Sequence, residues 1–287
     1  MSELYVVATP IGNLGDLTPR AGEAISNADL IAAEDTRVTM KLLNRLGIKK
    51  PLVSCHRHNE GTVARGLVEQ MLAREMKLCL TCDAGTPAIS DPGCELVRLS
   101  IEAGIRVIPV CGPSAITAHL SCCGFDCREF AFYGFLPREK KALREKLMSI
   151  RRQGMAVAVF YESPHRVVEL IKTIAQTIPG CSVSVACDIS KLYEKIETGP
   201  CEAVLERLMS NANVEKGEYS IAVAIPPEAR VKEDSGKTSC EAALFERLLA
   251  GENMAGACEK AIEAGFARNE VYRAKLRISR FLEEFEA

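Results

Sequence analysis

The stretch CDAGTPAISDPG, residues 82–93, joins carboxylates to glycines and prolines directly after an apolar run that predicts a buried strand. Asp83 would stand at the carboxyl end of that strand, where open α/β sheets bind ligands, and its carboxylate suits an amine or a ribose hydroxyl. Gly85 allows close approach of the backbone and unusual dihedral angles, and Pro87 stiffens the loop. The stretch is therefore interpreted as a ligand-binding loop, with a rigid surface turn as the alternative.

The stretch VIPVCGPSA, residues 107–115, repeats this arrangement after another predicted strand. Gly112 and Pro113 lead into a helix that Ser114 is expected to cap, and the amides at the start of a helix can receive a negative group. Such a motif alone is mostly a capped turn between a strand and a helix. A third strand end of this kind, TPIGNLGD at residues 9–16, makes a ligand-binding crevice the preferred interpretation.

Charged residues follow two further predicted strands. AAEDTR places Glu34 and Asp35 at one strand end, and YESPHR places Glu162 and Arg166 at another. In the second stretch Ser163 is expected to cap a helix, which puts Arg166 in the first turn, where the helix dipole disfavours a cation. Arg166 therefore needs either a carboxylate partner such as Glu162 or an anionic ligand, and the sequence leaves both open.

Cysteines and histidines do not form a convincing metal site. Cys79 and Cys82 form a CxxC, but they lie on a predicted strand, where residues three apart face opposite ways, and no second CxxC follows at zinc spacing. His56 and His58 would share one face of a strand and are interpreted as a polar strand end. His119 is expected to be an ordinary helix residue. No metal is predicted.

Short apolar strands alternate with amphipathic helices, which predicts an α/β fold with a largely parallel sheet covered on both faces. We expect two consecutive α/β domains, residues 1–117 and 118–228, and a small all-helical C-terminal extension at residues 236–287. The polar segment 226–239 is expected to be a linker. The predicted strands are LYVVATPI, DLIAAED, PLVSCH, KLCLTC, IRVIPVC, EFAFYGF, MAVAVFYE, SVSVAC and YSIAVAI.

The composition is that of an ordinary globular protein, with 287 residues, 47% hydrophobic, 26% charged and a net charge of −2. This balance argues against a wholly basic protein that coats nucleic acid. Thirteen scattered cysteines in apolar surroundings indicate a reducing compartment rather than a disulfide framework. The N-terminus lacks the basic region of a secretory signal, and no apolar run is long enough to span a membrane. A cytoplasmic protein without a membrane partner is expected.

Two segments carry a local excess of positive charge. PREKKALREKLMSIRR, residues 137–152, has seven lysines and arginines against two glutamates, and RNEVYRAKLRISR, residues 268–280, has five against one. Each is compatible with a solvated helix face. Two such segments on one chain favour an anionic polymer as a partner.

Six segments in fixed order resemble the tetrapyrrole methylase superfamily, most closely its ribosomal RNA branch: LYVVATPIGNLGD, DLIAAEDTR, DAGTPAISDPG, GPSA, FYESPHR and KLYE. The resemblance runs from about residue 4 to the C-terminus. It implies two α/β domains with S-adenosylmethionine in the cleft between them, commonly as a homodimer. It also implies 2′-O-methylation of a cytidine ribose in 16S ribosomal RNA of the small ribosomal subunit.

The resemblance further implies which loops hold the cofactor and where this chain departs from the family. The second domain would close the site with residues near 191–194 and the strand 220–225. Cys111 replaces the first proline of the usual PGPSA, and Cys187 replaces the arginine of the usual ARELTK. The cofactor-binding residues that the resemblance implies are Asp83, Ala84, Gly85, Thr86, Pro87, Cys111, Gly112, Pro113 and Ser114.

Methyl transfer from a sulfonium is an in-line displacement that needs no metal, and a base or a neighbouring cation should assist a weakly acidic ribose hydroxyl. Residue chemistry and loop position suggest that Lys191 stabilises the forming alkoxide and that a carboxylate accepts the proton. The polar cluster predicted to face the cleft comprises Glu34, Asp35, Glu162, Arg166 and Lys191.

Two other functions compete with this interpretation. A C-methyltransferase acting on a porphyrin-like tetrapyrrole would need neither the basic segments nor the helical extension. A non-enzymatic RNA-binding factor of ribosome assembly would not need the cofactor loops intact. Both are therefore less favoured than the ribosomal RNA methyltransferase.

Overall fold

The computed structural model describes residues 1–230 and 239–286, with side chains as far as residue 281. Residues 1–230 form one compact unit, and the C-terminal helices belong to a second. Positions 231–238 of the expected linker, and position 236, where the helical extension was expected to begin, lie outside the described residues. The boundary expected near residue 117 separates two sheets within the first unit.

The first sheet is wholly parallel, as predicted, with the strand order β3-β2-β4-β1-β5. Its parallel register brings the carboxyl ends of all its strands to one edge, which is where the motif-bearing loops emerge. The strands are β1 (Glu3–Val7), β2 (Leu30–Ala33), β3 (Leu52–Ser54), β4 (Lys77–Thr81) and β5 (Arg106–Val110).

Local signals set the ends of the helices that connect these strands. Thr18 caps the first helix by accepting a hydrogen bond from the amide of Ala21 (3.1 Å), with Pro19 in its first position. Gly47 ends the second with φ of 68°, a left-handed conformation that suits glycine. The helices are α1 (Pro19–Asn27), α2 (Thr36–Leu46), α3 (Glu60–Arg74), α4 (Cys94–Glu102) and α5 (Ala115–Cys122).

The second sheet is mixed, so the expectation of parallel strands is wrong there. Its order is β6-β7-β10-β8-β9, and only the β6–β7 pair is parallel. A short turn joins β8 to β9, and strands joined so tightly must run antiparallel. Strand β9 was not predicted, because KIETGP ends in glycine and proline, which are depleted in strands. The strands are β6 (Phe130–Phe135), β7 (Val157–Glu162), β8 (Ser182–Cys187), β9 (Lys195–Pro200) and β10 (Tyr219–Ala224).

The helices beside this sheet are α6 (Lys140–Arg152), α7 (Val167–Thr177) and α8 (Cys201–Ser210). The predicted start of α7 at Ser163 is wrong. The amide of Ser163 donates instead to the carboxylate of Glu162 (2.7 Å), and a turn precedes the helix. Arg166 consequently stands at the N-cap of α7 rather than in its first turn. It is still at the positive end of the helix dipole, and the carboxylate of Glu162 balances its charge.

The C-terminal unit is helical over its described residues, as predicted, with α9 (Cys240–Leu249), α10 (Met254–Glu263) and α11 (Arg268–Glu286). Small and aliphatic side chains give it a core of its own. The buried members of this core are Cys240, Leu244, Ala257, Ala261, Val271, Ala274 and Ile278.

The predictions for the cysteines and for the histidines have different outcomes. Cys79 and Cys82 are buried in the first half of the chain, as predicted. Strand β3 ends at Ser54, so His56 and His58 lie in the following turn and not on one strand face, which corrects the expectation. Among the described residues no group of side chains has the makings of a metal site, and no helix has the length and apolar character to cross a membrane.

Candidate active site

The loop after β4 is fastened to the end of β1. Thr9 and Gly85 exchange two backbone hydrogen bonds of 2.9 and 3.0 Å, and the hydroxyl of Thr9 donates to the carbonyl of Cys82 (3.1 Å). Gly85 has φ of 84°, which an L side chain adopts only with strain. A Cβ there would meet only ordinary contacts, the nearest being Ile11 Cγ2 at 3.5 Å. Gly85 is therefore required for its dihedral angles and not for space.

The loop after β5 joins the other two. The Thr86 hydroxyl donates to the carbonyl of Pro113 (3.3 Å), and that of Thr18 donates to the carbonyl of Cys111 (3.4 Å). A Cβ on Gly112 would lie 3.0 Å from the Cβ of Ala8, tighter than nearly all real contacts. The three strand ends thus pack backbone against backbone, which is why these loops carry so few bulky side chains.

A cavity of about 570 Å³ opens beside these strand ends, within the size range of small-molecule sites. Its lining comes from the loop after β1, the loop after β5, α5 and the turn after β8. The side chain of Ser114 lies at the N-cap position of α5 but makes no capping bond, contrary to the sequence prediction. The lining residues are Ile11, Asp16, Thr18, Cys111, Gly112, Pro113, Ser114, Ala118, Ile189, Ser190 and Glu194.

Only one of the two predicted cofactor loops lines this cavity. Residues 111–114 form part of its wall, whereas residues 83–87 are absent from the lining and support it from behind through Thr86 and Gly85. Glu194 lies in the range 191–194 that the resemblance implies for this side of the site, whereas Asp16 and Thr18 were not predicted as site residues. A signal for Asp16 was present, because it ends the glycine-bearing stretch after β1.

Lys191 belongs to the turn after β8, but its ammonium already has two partners. It lies 2.9 Å from Asp188 Oδ1 and 3.0 Å from Glu218 Oε2. Burial lowers the pKa of Lys191, but the hydrogen bonds to the two carboxylates outweigh it and leave the pKa raised, so the side chain stays charged. Its stem fills the space beside Gly12, where a Cβ would lie 2.4 Å from Lys191 Cγ.

Glu34 and Asp35 lie beside the loop after β4, with different electrostatics. Glu34 Oε2 accepts from the amide of Asp83 (3.3 Å), and burial raises the pKa of Glu34. Asp35 caps α2 by accepting from the amide of Arg37 (2.8 Å), and the guanidinium of Arg37 also binds its carboxylate. These bonds hold the pKa of Asp35 at about 2, which makes it a weak base.

Two more acids in this region share the raised pKa. Burial raises the pKa of Asp83, whose carboxylate accepts from the amide of Asp35 (3.1 Å), and that of Asp91. Tyr161 in the second sheet has its pKa raised to about 12, mainly by burial and further by the charge of Asp91. Asp91 thus links this acidic group to the second sheet, and the sequence analysis had not singled it out.

Glu162 and Arg166 form a separate pair. The side chain of Glu162 is fully buried, and its Oε2 lies 3.2 Å from a guanidinium nitrogen of Arg166. Arg166 also donates to the carbonyl of Pro137 (2.9 Å). Of the two alternatives that the sequence left open, the pairing with Glu162 is observed. Among the described residues, no hydrogen bond or ion pair joins this pair to Glu34 or Lys191.

His119 was expected to be an ordinary helix residue. It is instead fully buried, which is the largest departure from the sequence predictions. Its Nδ1 lies 3.0 Å from the hydroxyl of Ser220 on β10, and its Nε2 lies 2.9 Å from that of Ser184 on β8. Thr198 on β9 donates to Ser184 (2.7 Å). Burial lowers the pKa of His119 to about 4, so the ring is neutral. It fastens α5, which lines the cavity, to the second sheet.

Solved structures of methyltransferases share this fold. The methyltransferase CobJ superposes with a TM-score of 0.57 over 78% of this chain and 95% of that one, at 15% identity. Uroporphyrin-III-C-methyltransferase from Thermus thermophilus gives a TM-score of 0.52 over 79% and 96% of the two chains, at 17% identity. At such identities the similarity establishes the fold alone.

Sequence comparison defines the family. The pattern of the tetrapyrrole (corrin/porphyrin) methylases matches residues 3–205. A protein of Haemophilus influenzae is 39% identical over 275 residues, which cover 94% of this chain and 95% of its own, and one of Xylella fastidiosa is 42% identical over 221 residues, 77% and 80% of the two chains. Both are named ribosomal RNA small subunit methyltransferase I. The chain therefore belongs to the tetrapyrrole methylase family of methyltransferases, on the branch that contains these proteins, which confirms the resemblance seen in its motifs.

Proposed function

We propose that the chain is an S-adenosylmethionine-dependent methyltransferase that modifies the 2′-hydroxyl of a cytidine in 16S ribosomal RNA of the small subunit. The observation that carries the proposal is the cavity at the carboxyl ends of β1 and β5, walled on the other side by the turn after β8. The names of the relatives support ribosomal RNA as the substrate. The proposal includes a cytoplasmic location, which the cysteine usage favours, and a homodimer, as the sequence resemblance implies.

The cavity suits S-adenosylmethionine in volume and in chemistry. Gly112 lets the loop after β5 pack closely against Ala8, and Asp16 and Glu194 bring carboxylates to the lining that fit an amine or ribose hydroxyls. When bound, the cofactor supplies an electrophilic methyl group on a sulfonium. We assign residues 111–114 to direct contact with it, and residues 83–87 to holding that loop in place.

The protein must align the acceptor oxygen and remove its proton. Alignment alone can supply about 7–11 kcal/mol of the barrier. Among the predicted catalytic residues, Glu34 suits proton acceptance best, because burial raises its pKa toward the working pH, whereas Asp35 is too acidic. The partners of Lys191 favour a role in bracing the turn after β8 over contact with an alkoxide.

The two basic segments are the surfaces that we propose to bind RNA. Helix α6 buries Leu143, Leu147 and Ile150 on one face, so cations such as Lys141 and Arg152 remain exposed on the other. On α11 the five cations of residues 268–280 are likewise exposed. Such surfaces bind the phosphate backbone without regard to sequence. The sequence preference would then come from the neighbourhood of the cavity.

Two measurements test the proposal. Calorimetry with S-adenosylmethionine should give binding to the purified protein. Mass-spectrometric mapping of small-subunit RNA should show one cytidine ribose methyl group that disappears when the gene is deleted and returns when it is restored. Methyl transfer to a tetrapyrrole but not to small subunits would overturn the proposal, and so would an unchanged methylation map after deletion. Light scattering measures the predicted dimer.

A further inference from the structure

The turn between β8 and β9, residues 188–194, is held rigidly in a strained conformation. Asp188 has φ of 52° and Ser190 has φ of 68°, a left-handed region that costs residues other than glycine about 1–3 kcal/mol each. The amide of Lys191 donates to the carbonyl of Asp188 (2.9 Å), and the amide of Ser190 donates to the carboxylate of Glu194 (2.5 Å). Strain of this kind persists only where surrounding contacts enforce it.

Contacts with other loops supply that enforcement. The hydroxyl of Ser190 donates to Asp16 in the loop after β1. The ammonium of Lys191 joins Asp188 to Glu218 at the start of β10, and its stem lies against Gly12. The turn is therefore fixed both to the loop after β1 and to the start of β10.

This rigid turn presents two large apolar side chains to solvent. Leu192 is 87% exposed and Tyr193 is 81% exposed, and neither makes a side-chain hydrogen bond within the described part of the chain. Their neighbours Ile189, Ser190 and Glu194 line the cavity. Leu192 and Tyr193 thus lie exposed at the cavity rim, and neither side chain packs into the core of the protein.

We propose that Tyr193 is a stacking platform for an unpaired nucleobase of the RNA next to the acceptor ribose, with Leu192 packing against the edge of that base. The inference rests on the proposed function and names how the same site holds its substrate. Proteins that read single-stranded RNA splay bases out onto aromatic side chains, and stacking tolerates any base. A tyrosine fixed beside the cavity would hold the chosen nucleotide while the methyl group is transferred.

A second copy of the chain is a less fitting occupant. An aromatic side chain buries about 150–250 Å², whereas a stable interface buries about 800 Å² on each partner. Two adjacent side chains supply only part of that area, but one aromatic face is enough for one base. A dimer contact does not require a position at the cavity rim, whereas a side chain that positions the substrate does.

The test compares three variants of the full chain with wild type. Tyr193→Ala removes the ring, Tyr193→Phe keeps it without the hydroxyl, and Leu72→Ala removes an apolar side chain that is 52% exposed on α3, as a matched surface control. The measurements are the calorimetric Kd for S-adenosylmethionine and kcat/KM with small subunits from a strain that lacks the gene.

We expect Tyr193→Ala to lower kcat/KM for small subunits about 5- to 150-fold, the usual loss for one stacked base, with the cofactor Kd unchanged. Tyr193→Phe and Leu72→Ala should stay within about twofold of wild type, because stacking needs only the ring. A merely structural residue is not expected to give a low kcat/KM as alanine and a normal kcat/KM as phenylalanine.

Two results would overturn the inference while wild type remains active. One is an unchanged kcat/KM in Tyr193→Ala. The other is a loss of mass in light scattering for that variant, which would assign the turn to a second copy. A wild-type protein that binds S-adenosylmethionine but transfers no methyl group to small subunits would reject the proposed function, and the stacking role with it.

Discussion

Replacement of His119 by leucine should destabilise the protein strongly, although the two side chains are similar in size. The substitution leaves the buried hydroxyls of Ser184 and Ser220 without the ring nitrogens that now bind them. Ser184 still accepts from Thr198, whereas Ser220 loses its only side-chain partner among the described residues, and one buried polar group left unpaired costs about 1–3 kcal/mol. Urea unfolding followed by circular dichroism measures this loss as a lower midpoint at similar slope.

A triple variant separates the hydrogen bonds from packing. His119→Leu combined with Ser184→Ala and Ser220→Ala removes both serine hydroxyls, and the hydroxyl of the exposed Thr198 can donate to water instead. Replacing both partners of a buried hydrogen bond by apolar groups can be nearly neutral. We therefore expect the triple variant to recover most of the stability that the single variant loses. A single variant within about 0.5 kcal/mol of wild type, the range of ordinary surface changes, would refute the reasoning.

The pH dependence gives this prediction a second readout. The pKa of His119 is about 4 in the folded chain against an ordinary 6.5, so between these values only the unfolded chain takes up the proton. Folding stability due to this ring is complete above pH 6.5 and falls as the pH drops, by about 3 kcal/mol at pH 4. His119→Leu lacks this loss, and its stability should therefore approach that of wild type as the pH falls to 4. A constant difference across this range would contradict the buried neutral ring.

Three further predictions concern the loops and the C-terminal helices. Gly12→Ala should displace the stem of Lys191 and weaken S-adenosylmethionine binding in calorimetry, and the part of the loss due to the clash should vanish in a Lys191→Ala background. Gly85→Ala should lower stability by about 1–2 kcal/mol in urea unfolding, because its left-handed φ is strained, and an unchanged midpoint would mean that the loop after β4 relaxes freely. Deletion of residues 236–287 removes the five cations of α11 and should lower RNA affinity and reduce its salt slope by as much as about 3.5 units in filter binding, whereas an equal slope would exclude these helices from the RNA surface.

The sequence by itself determined the parts of this protein that depend on neighbouring residues. Apolar runs that end in glycine, proline and aspartate predicted the strand ends at Asp83 and Gly112, because turn chemistry is local. Thr18 and Gly47 marked a helix start and a helix end for the same reason. The order of these segments was also sufficient for the family, since several long motifs in fixed order leave little room for chance.

Only the tertiary structure decided which of these segments meet. Strand β9 and the antiparallel half of the second sheet arise from pairing between strands, which no short window of sequence encodes. The same holds for His119, whose two serine partners lie 65 and 101 residues away along the chain. The cavity is completed by Ser190, which reaches Asp16 across 174 residues. Contacts over such distances follow from how the sheets pack, and no short window of sequence shows that Ser190 and Asp16 meet.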